Sequence, residues 1–298
     1  MNVADCYFNW KWHKQQSMFR KGTMSETLRF DPIYSEHAIE RCAWTVFFTQ
    51  PLPEKLYGNV TQAAGDGAQE RGFQPVAFRG IQFNAITGQV VSGQASGGPV
   101  EFVTPDGAQQ LSITPQSVSF ASTRYVRWTP FFGQVSDLPL KVAERFVDVV
   151  SVSALKVEYW DRFIWSGEWS DFDPNKLLRG DNQYAAPGAV RGGNAWHSHV
   201  GWFERTEGAV RRLVNINIDA VDFLRPNTIG PKPSIGVYTT IQDAFFLPGS
   251  LQVDVGIEAI KTRSTEIHND LKSLLGQIIL DDMQSRISLN SGARADVR

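Results

Sequence analysis

The stretch that decides the fold begins S-V-S-F-A-S-T-R-Y-V-R-W at residues 117–128 and ends A-L-K-V-E-Y-W-D-R-F-I-W at residues 154–165. In the second run, strand alternation puts Leu155, Val157, Tyr159, Asp161, Phe163 and Trp165 on one face and turns Arg162 to the other. Between the two runs, Val135, Leu138, Val142, Phe146 and Val149 recur at helical spacing, and Pro139 is tolerable there if it lies in the first turn. Two aromatic strands flanking an amphipathic helix predict an α+β protein.

Toward the N-terminus, Cys42, Trp44, Val46 and Phe48 alternate as a half-buried strand requires. A short helix follows, with Leu56, Val60 and Ala63 on one side, weakened by Gly58, Gly65 and Gly67. From Pro75 to Tyr125 the text turns to short β runs with Pro and Gly at the turns, among them T-P-D-G, and predicts a meander. Residues 1–24 carry no apolar period and read as a disordered extension upstream of a start at Met24.

Toward the C-terminus, residues 167–195 are rich in Asp, Asn, Gly and Pro and read as an irregular connection. Then H-S-H-V-G-W-F-E-R, the turn T-E-G and a second β run predict a hairpin with Val210, Val214, Ile216 and Ile218 toward the core. Ile235, Val237 and Ile241 mark another strand. Ile267, Leu271, Leu274, Leu275, Ile278, Ile279, Met283 and Ile287 form an apolar stripe that predicts one long C-terminal helix. The expected organisation is two lobes of antiparallel sheet, 25–166 and 196–288, each with a helix, and a flexible tail at 289–298.

Composition limits the function classes. The chain has 298 residues, of which 42% are hydrophobic and 20% charged, as in soluble globular proteins. A net charge of −2 from 29 basic and 31 acidic residues gives no attraction to phosphate backbones or anionic membranes, so neither nucleic acid nor membrane is expected as a partner. Cys6 and Cys42 form no C-x-x-C pair, which fits a reducing cytoplasm. The N-terminus has no apolar core of a secretory signal.

The order of elements resembles a sporadically distributed bacterial family of uncharacterised proteins. The residues that carry the resemblance are the early aromatic strand Trp44 to Phe48, the Pro-rich helix start Pro51 to Leu56, the turn Asp106-Gly107 and the run Ser117 to Trp128. To these are added Tyr159 to Ile164, matching an R-Y-x-N/D-R-I type of strand, and the closing helix Ile267 to Ile287. The resemblance covers roughly residues 36–288. It departs from the pattern in the section before Met24 and in E-Y-W-D-R-F, where Trp160 and Asp161 replace an aliphatic residue and an Asn. It implies a bacterial α+β protein of accessory or defence-related character, and no activity or cofactor comes with it.

Asp161 is the leading candidate site residue. A carboxylate among aromatics needs a cation, hydrogen bonds or a shifted pKa, and the expected partner is an arginine, Arg124 or Arg127, on a neighbouring strand. That arrangement reads as a structural ion pair, with a catalytic acid as the competing reading. His197 and His199 share a strand face at a spacing that suits zinc, but only Glu204 and Asp219 stand by as further ligands, so an exposed strand entry is the expectation. His13, His37 and His268 are scattered, with His268 expected to face solvent. No nucleophile elbow, phosphate loop or dinucleotide fingerprint is present, and no cofactor is expected.

The nine tryptophans crowd toward the middle of the chain and either fill a core or line a ligand groove. The expected function is binding of a protein or small-molecule partner, with self-association left open. An enzyme with its polar centre at Asp161 and Arg124 is the alternative. A concave pocket holding Asp161 and two further polar groups would favour the enzyme, and a flat aromatic patch the binder.

Overall fold

The computed structural model describes residues 28–76, 80–83, 90–93, 98–191, 195–224, 230–246 and 255–289. The proposed extension 1–24 and the tail beyond residue 289 lie outside the described residues.

The chain begins with a short strand β1 (Phe30–Pro32) and the aromatic strand β2 (Ile39–Phe48). Cys42, Trp44, Val46 and Phe48 are buried on one face of β2, as their alternation predicts. Helix α1 (Glu54–Gln69) follows and buries Tyr57, Val60, Ala64 and Ala68, and Gly65 lets the ring of Phe102 pack against the helix. Then come β3 (Gln74–Val76), the pair β4 (Gly80–Phe83) and β5 (Val90–Gly93), and the meander β6 (Val100–Val103), β7 (Gln109–Thr114) and β8 (Ser117–Ser122). The β6–β7 turn needs Gly107 at φ 68°, and Asp106 Oδ1 accepts from Thr104 Oγ1 at 2.7 Å.

The run read as an aromatic strand from Ser117 to Trp128 is strand only to Ser122. Tyr125 and Arg127 lie in a connection, and Trp128 opens helix α2 (Trp128–Asp137). A second helix, α3 (Pro139–Val147), starts at the proline, which occupies its first turn. The helical stripe therefore bends at Leu138, whose φ of −134° is not helical. Val135, Leu138, Val142 and Phe146 are buried, whereas Val149 lies beyond the helix and is 46% exposed.

Strand β9 (Val152–Trp165) is the centre of the sheet. After it come two short helical turns, Trp169–Asp171 and Pro174–Lys176, and the one-turn helix α4 (Pro187–Val190). The hairpin β10 (Trp196–Thr206) and β11 (Ala209–Phe223) turns at Gly208, φ 73°, and β12 (Lys232–Ala244) completes the strands. The sheet order is β10-β11-β12-β9-β2-β8-β7-β6-β3, with β1 also paired to β9, ten antiparallel strands among the described residues.

Two separate sheet lobes are not what forms. β12 pairs with β9 from Ser234↔Ile164 to Ala244↔Ala154, so the two sets of strands share one continuous sheet. The reason lies in β9, whose core-facing residues from Leu155 to Trp165 need a partner strand on each edge, and one edge takes β2 while the other takes β12.

The long C-terminal helix is present and packs on the sheet, but the apolar stripe runs past its end into a second, short helix. Helix α5 (Ile257–Ile278) starts ten residues before Ile267, and helix α6 (Asp281–Arg286) follows. Ile279 is extended and bridges to Leu178. Carbonyls freed at the end of α5 are met by Arg179 N–H on Ile278 at 2.9 Å and by the Gln284 amide on Gly276 at 2.8 Å. Both α5 and α3 lie on the sheet face that carries Trp44, Leu155 and Ile216, and Trp44 Nε1 donates to Ser264 Oγ at 2.9 Å across that core. No described helix is long and apolar enough to cross a membrane.

Candidate functional site

A break in the sheet beside Asp161 creates the site. Along one edge of β9 the partner changes from β2, which ends at Ile39↔Asp161, to β1, which runs from Pro32↔Phe163 to Phe30↔Trp165. Arg162 N donates to Ala38 O at 2.8 Å and Ile33 N to Arg162 O at 3.0 Å, so the chain between Ile33 and Ala38 leaves the sheet and returns to it around one residue. His37 rides on that excursion. The opposite wall comes from α5, and the connection from Tyr125 to Arg127 with the start of α2 closes a third side.

The cavity between these walls is partly open and measures about 890 Å³, within the range of small-molecule sites. Tyr159 and Asp161 of β9, Tyr125 and Arg127 of the connection, Trp128 of α2 and His268 of α5 line it. Lys272, Asn269 and Thr239 add further polar groups. Asp161 is the one acid among the described lining residues.

Asp161 is 3% exposed, and among the described residues its carboxylate has no ion pair and no hydrogen bond. Burial pushes its pKa up to about 7, since a desolvated carboxylate favours its neutral form. The expected arginine partner is absent. Arg124 instead pairs with Asp106 at the surface, because β8 neighbours β2 and β7 and never meets β9. Arg127 does reach the cavity, but its guanidinium donates to the carbonyls of Glu36 and Val126 at 3.2 and 3.3 Å. Arg162, on the other face as predicted, holds Asp219 at 2.9 Å and Glu40 at 3.3 Å.

His268 does not face solvent. It is 8% exposed, and its Nδ1 lies 2.8 Å from the Tyr159 hydroxyl. Trp128 stacks on its ring at 4.5 Å with the planes 6° apart. Burial and the nearby Lys272 charge lower its pKa to about 3, so the imidazole is neutral at physiological pH. Burial raises the Tyr159 hydroxyl and the Cys42 thiol well above their usual ranges, so both stay protonated. Among the described residues His37 Nδ1 is buried without a hydrogen-bond partner, and burial together with Arg127 lowers that imidazole too.

Asp161 is legible in the sequence as an acid on an aromatic face, whereas His37, His268, Tyr125 and Tyr159 carry no pattern that groups them. One signal was available: His268 lies four residues from Ser264 and three from Leu271, inside the stripe that α5 turns toward the sheet. Nothing local brings His37 to Asp161.

The other candidates lie elsewhere. His197 and His199 are exposed on β10, opposite Asp219 and Asn217, and Asp219 is occupied by Arg162. Glu204 accepts from Trp202 Nε1 at 3.1 Å. Among the described residues no group of three His, Cys, Asp or Glu side chains is placed to hold a metal. A second cavity of about 750 Å³ beside Phe245 and Arg263 is lined by Glu258, Glu266 and Asp270, each already paired with a cation.

Compared with known proteins, the chain matches no family model and no curated relative.

Proposed function

We propose that the protein binds a small organic molecule in the cavity beneath α5, with Asp161 as its principal recognition group. The observation that carries this reading is a buried carboxylate with no partner among the described residues, facing a cavity of about 890 Å³. An unpaired buried acid is costly to a fold, and a ligand that donates to it offsets that cost. The aromatic walls supply apolar contact, and the convergent polar groups supply orientation. This reading is the small-molecule form of the binding role expected from the sequence.

A thermal-shift screen of metabolites tests it. Compounds of one chemical class should raise the melting midpoint of the parent and leave Asp161→Ala and the cavity-filling Thr239→Trp unmoved. Equal shifts in the parent and both variants would place binding elsewhere and count against the cavity.

A second reading, an acid–base enzyme, is favoured by one observation: the Asp161 carboxyl, with a pKa of about 7, shares the cavity with neutral His268 and the Tyr159 hydroxyl. A carboxyl that titrates near the working pH can both give and accept a proton. For a ligand found by the screen, turnover lost in Asp161→Asn at retained binding would select the enzyme.

A further inference from the structure

We infer that the ligand of this cavity is an anionic molecule whose planar 2-amino-4-oxopyrimidine edge, the edge shared by guanine and the pterins, pairs with Asp161. The inference rests on the cavity being a ligand site and adds the class of ligand.

Three features of the lining lead to this class. The first is the carboxylate itself. With two acceptor oxygens and no donor from the described protein, it is matched by two adjacent N–H groups on one ligand edge. Guanine and pterins present a ring N–H beside an exocyclic amine, whereas adenine places a ring acceptor against an ionised carboxylate.

The second feature is shape. Tyr125, Tyr159, Trp128 and His268 bring four flat rings to one cavity, and the Trp128–His268 stack forms a rigid wall. Planar heterocycles fit such walls because every ring has a π-face to stack. A volume of about 890 Å³ exceeds what a bare base needs and leaves room for a substituent.

The third feature is charge. Arg127 lines the cavity, and among the described residues its guanidinium meets only backbone carbonyls. Its guanidinium opposes a fully cationic amine ligand and favours an anionic arm, a phosphate in a nucleotide or a carboxylate in a folate.

Isothermal titration of the full chain with GMP, folic acid, AMP and agmatine at pH 8 tests the class. GMP or folic acid should bind, and AMP and agmatine should bind at least tenfold more weakly. Binding of the better ligand should fall about tenfold to a hundredfold in Asp161→Asn, since a charge-assisted pair is lost. The Asn amide accepts one hydrogen bond and donates another, so if GMP is the ligand, Asp161→Asn should exchange it for xanthosine monophosphate, whose 2-oxo group takes the amide N–H. A purely structural Asp161 would not exchange specificity. Retention of the parent's ligand by Asp161→Asn, tightest binding by agmatine, GMP binding without the exchange, or no binding of GMP or folic acid each overturns the class. In those cases a compound of other chemistry found by the thermal-shift screen would leave the cavity reading standing.

Discussion

The Tyr159 hydroxyl and His268 Nδ1, 2.8 Å apart, join the central strand to α5 through a neutral imidazole. The contact binds the floor of the cavity to its wall, and Trp128 holds the ring from the other side. Because the folded His268 pKa lies near 3 against an ordinary value of 6.5, the unfolded chain takes up a proton first as pH falls. The stability this group contributes is complete above pH 6.5 and is lost on acidification toward about pH 3, by at most about 1.4 kcal/mol per pH unit. In NMR, the His268 ring should therefore not titrate between about pH 5 and 8, and His268→Gln should show a shallower loss of stability in urea below pH 6.5 than the parent. A His268 midpoint near 6.5 would mean that the ring is hydrated.

Asp161 behaves with the opposite sign. Its folded pKa is raised from 3.8 to about 7, so its contribution is complete below pH 3.8 and is lost as pH rises through about 7. Asp161→Asn removes the penalty of an ionised buried carboxylate. The variant should be more stable than the parent at pH 8, with the gap closing by about 1.4 kcal/mol per pH unit on acidification from neutral toward pH 4. This reverses the expectation of an ion pair, under which the same change would destabilise. A variant less stable than the parent at pH 8 would reveal a donor on the carboxylate.

Leu271 and Val149 contrast two apolar positions that look alike in the sequence. Leu271 is 1% exposed beneath α5, and Leu271→Ala should cost about 2–5 kcal/mol by chemical denaturation. Val149, past the end of α3, should give a change within about 0.5 kcal/mol on Val149→Ala. Equal effects would mean that α5 does not cover the sheet.

Asp243 anchors a charged cluster under the other end of α5. Its carboxylate, fully buried, takes two hydrogen bonds from Arg212 at 2.7 and 2.9 Å and pairs with Arg263 of α5. Removing it leaves Arg212 and Arg263, both largely buried, with only the half-exposed Asp270 and Glu266 as acidic partners among the described residues, so Asp243→Ala should cost about 3–5 kcal/mol. A double variant with Arg212→Met should recover part of that loss, and a strictly additive result would mean that the two groups do not interact.

Much of the fold was written locally. Period-two alternation placed Trp44, Leu155 and Ile216 on the core face, T-E-G set the β10–β11 hairpin, and the spacing of Leu271, Leu274 and Ile278 set α5, because each signal depends only on neighbours along one strand or helix. The sequence also marked Asp161 as an acid on an aromatic face. What it did not determine is what surrounds that acid. Strand pairing over long separations decided that β9 would take β12 as well as β2, that Arg124 would end beside Asp106, and that the chain before Ile39 would loop around Arg162 to bring His37 to the cavity. The break at Ile279 was decided by Leu177 and Leu178, a hundred residues away in sequence and adjacent only in the folded sheet and helix layers. Partners and the free space between elements arise from packing distant segments together, and no local pattern of residues encodes them.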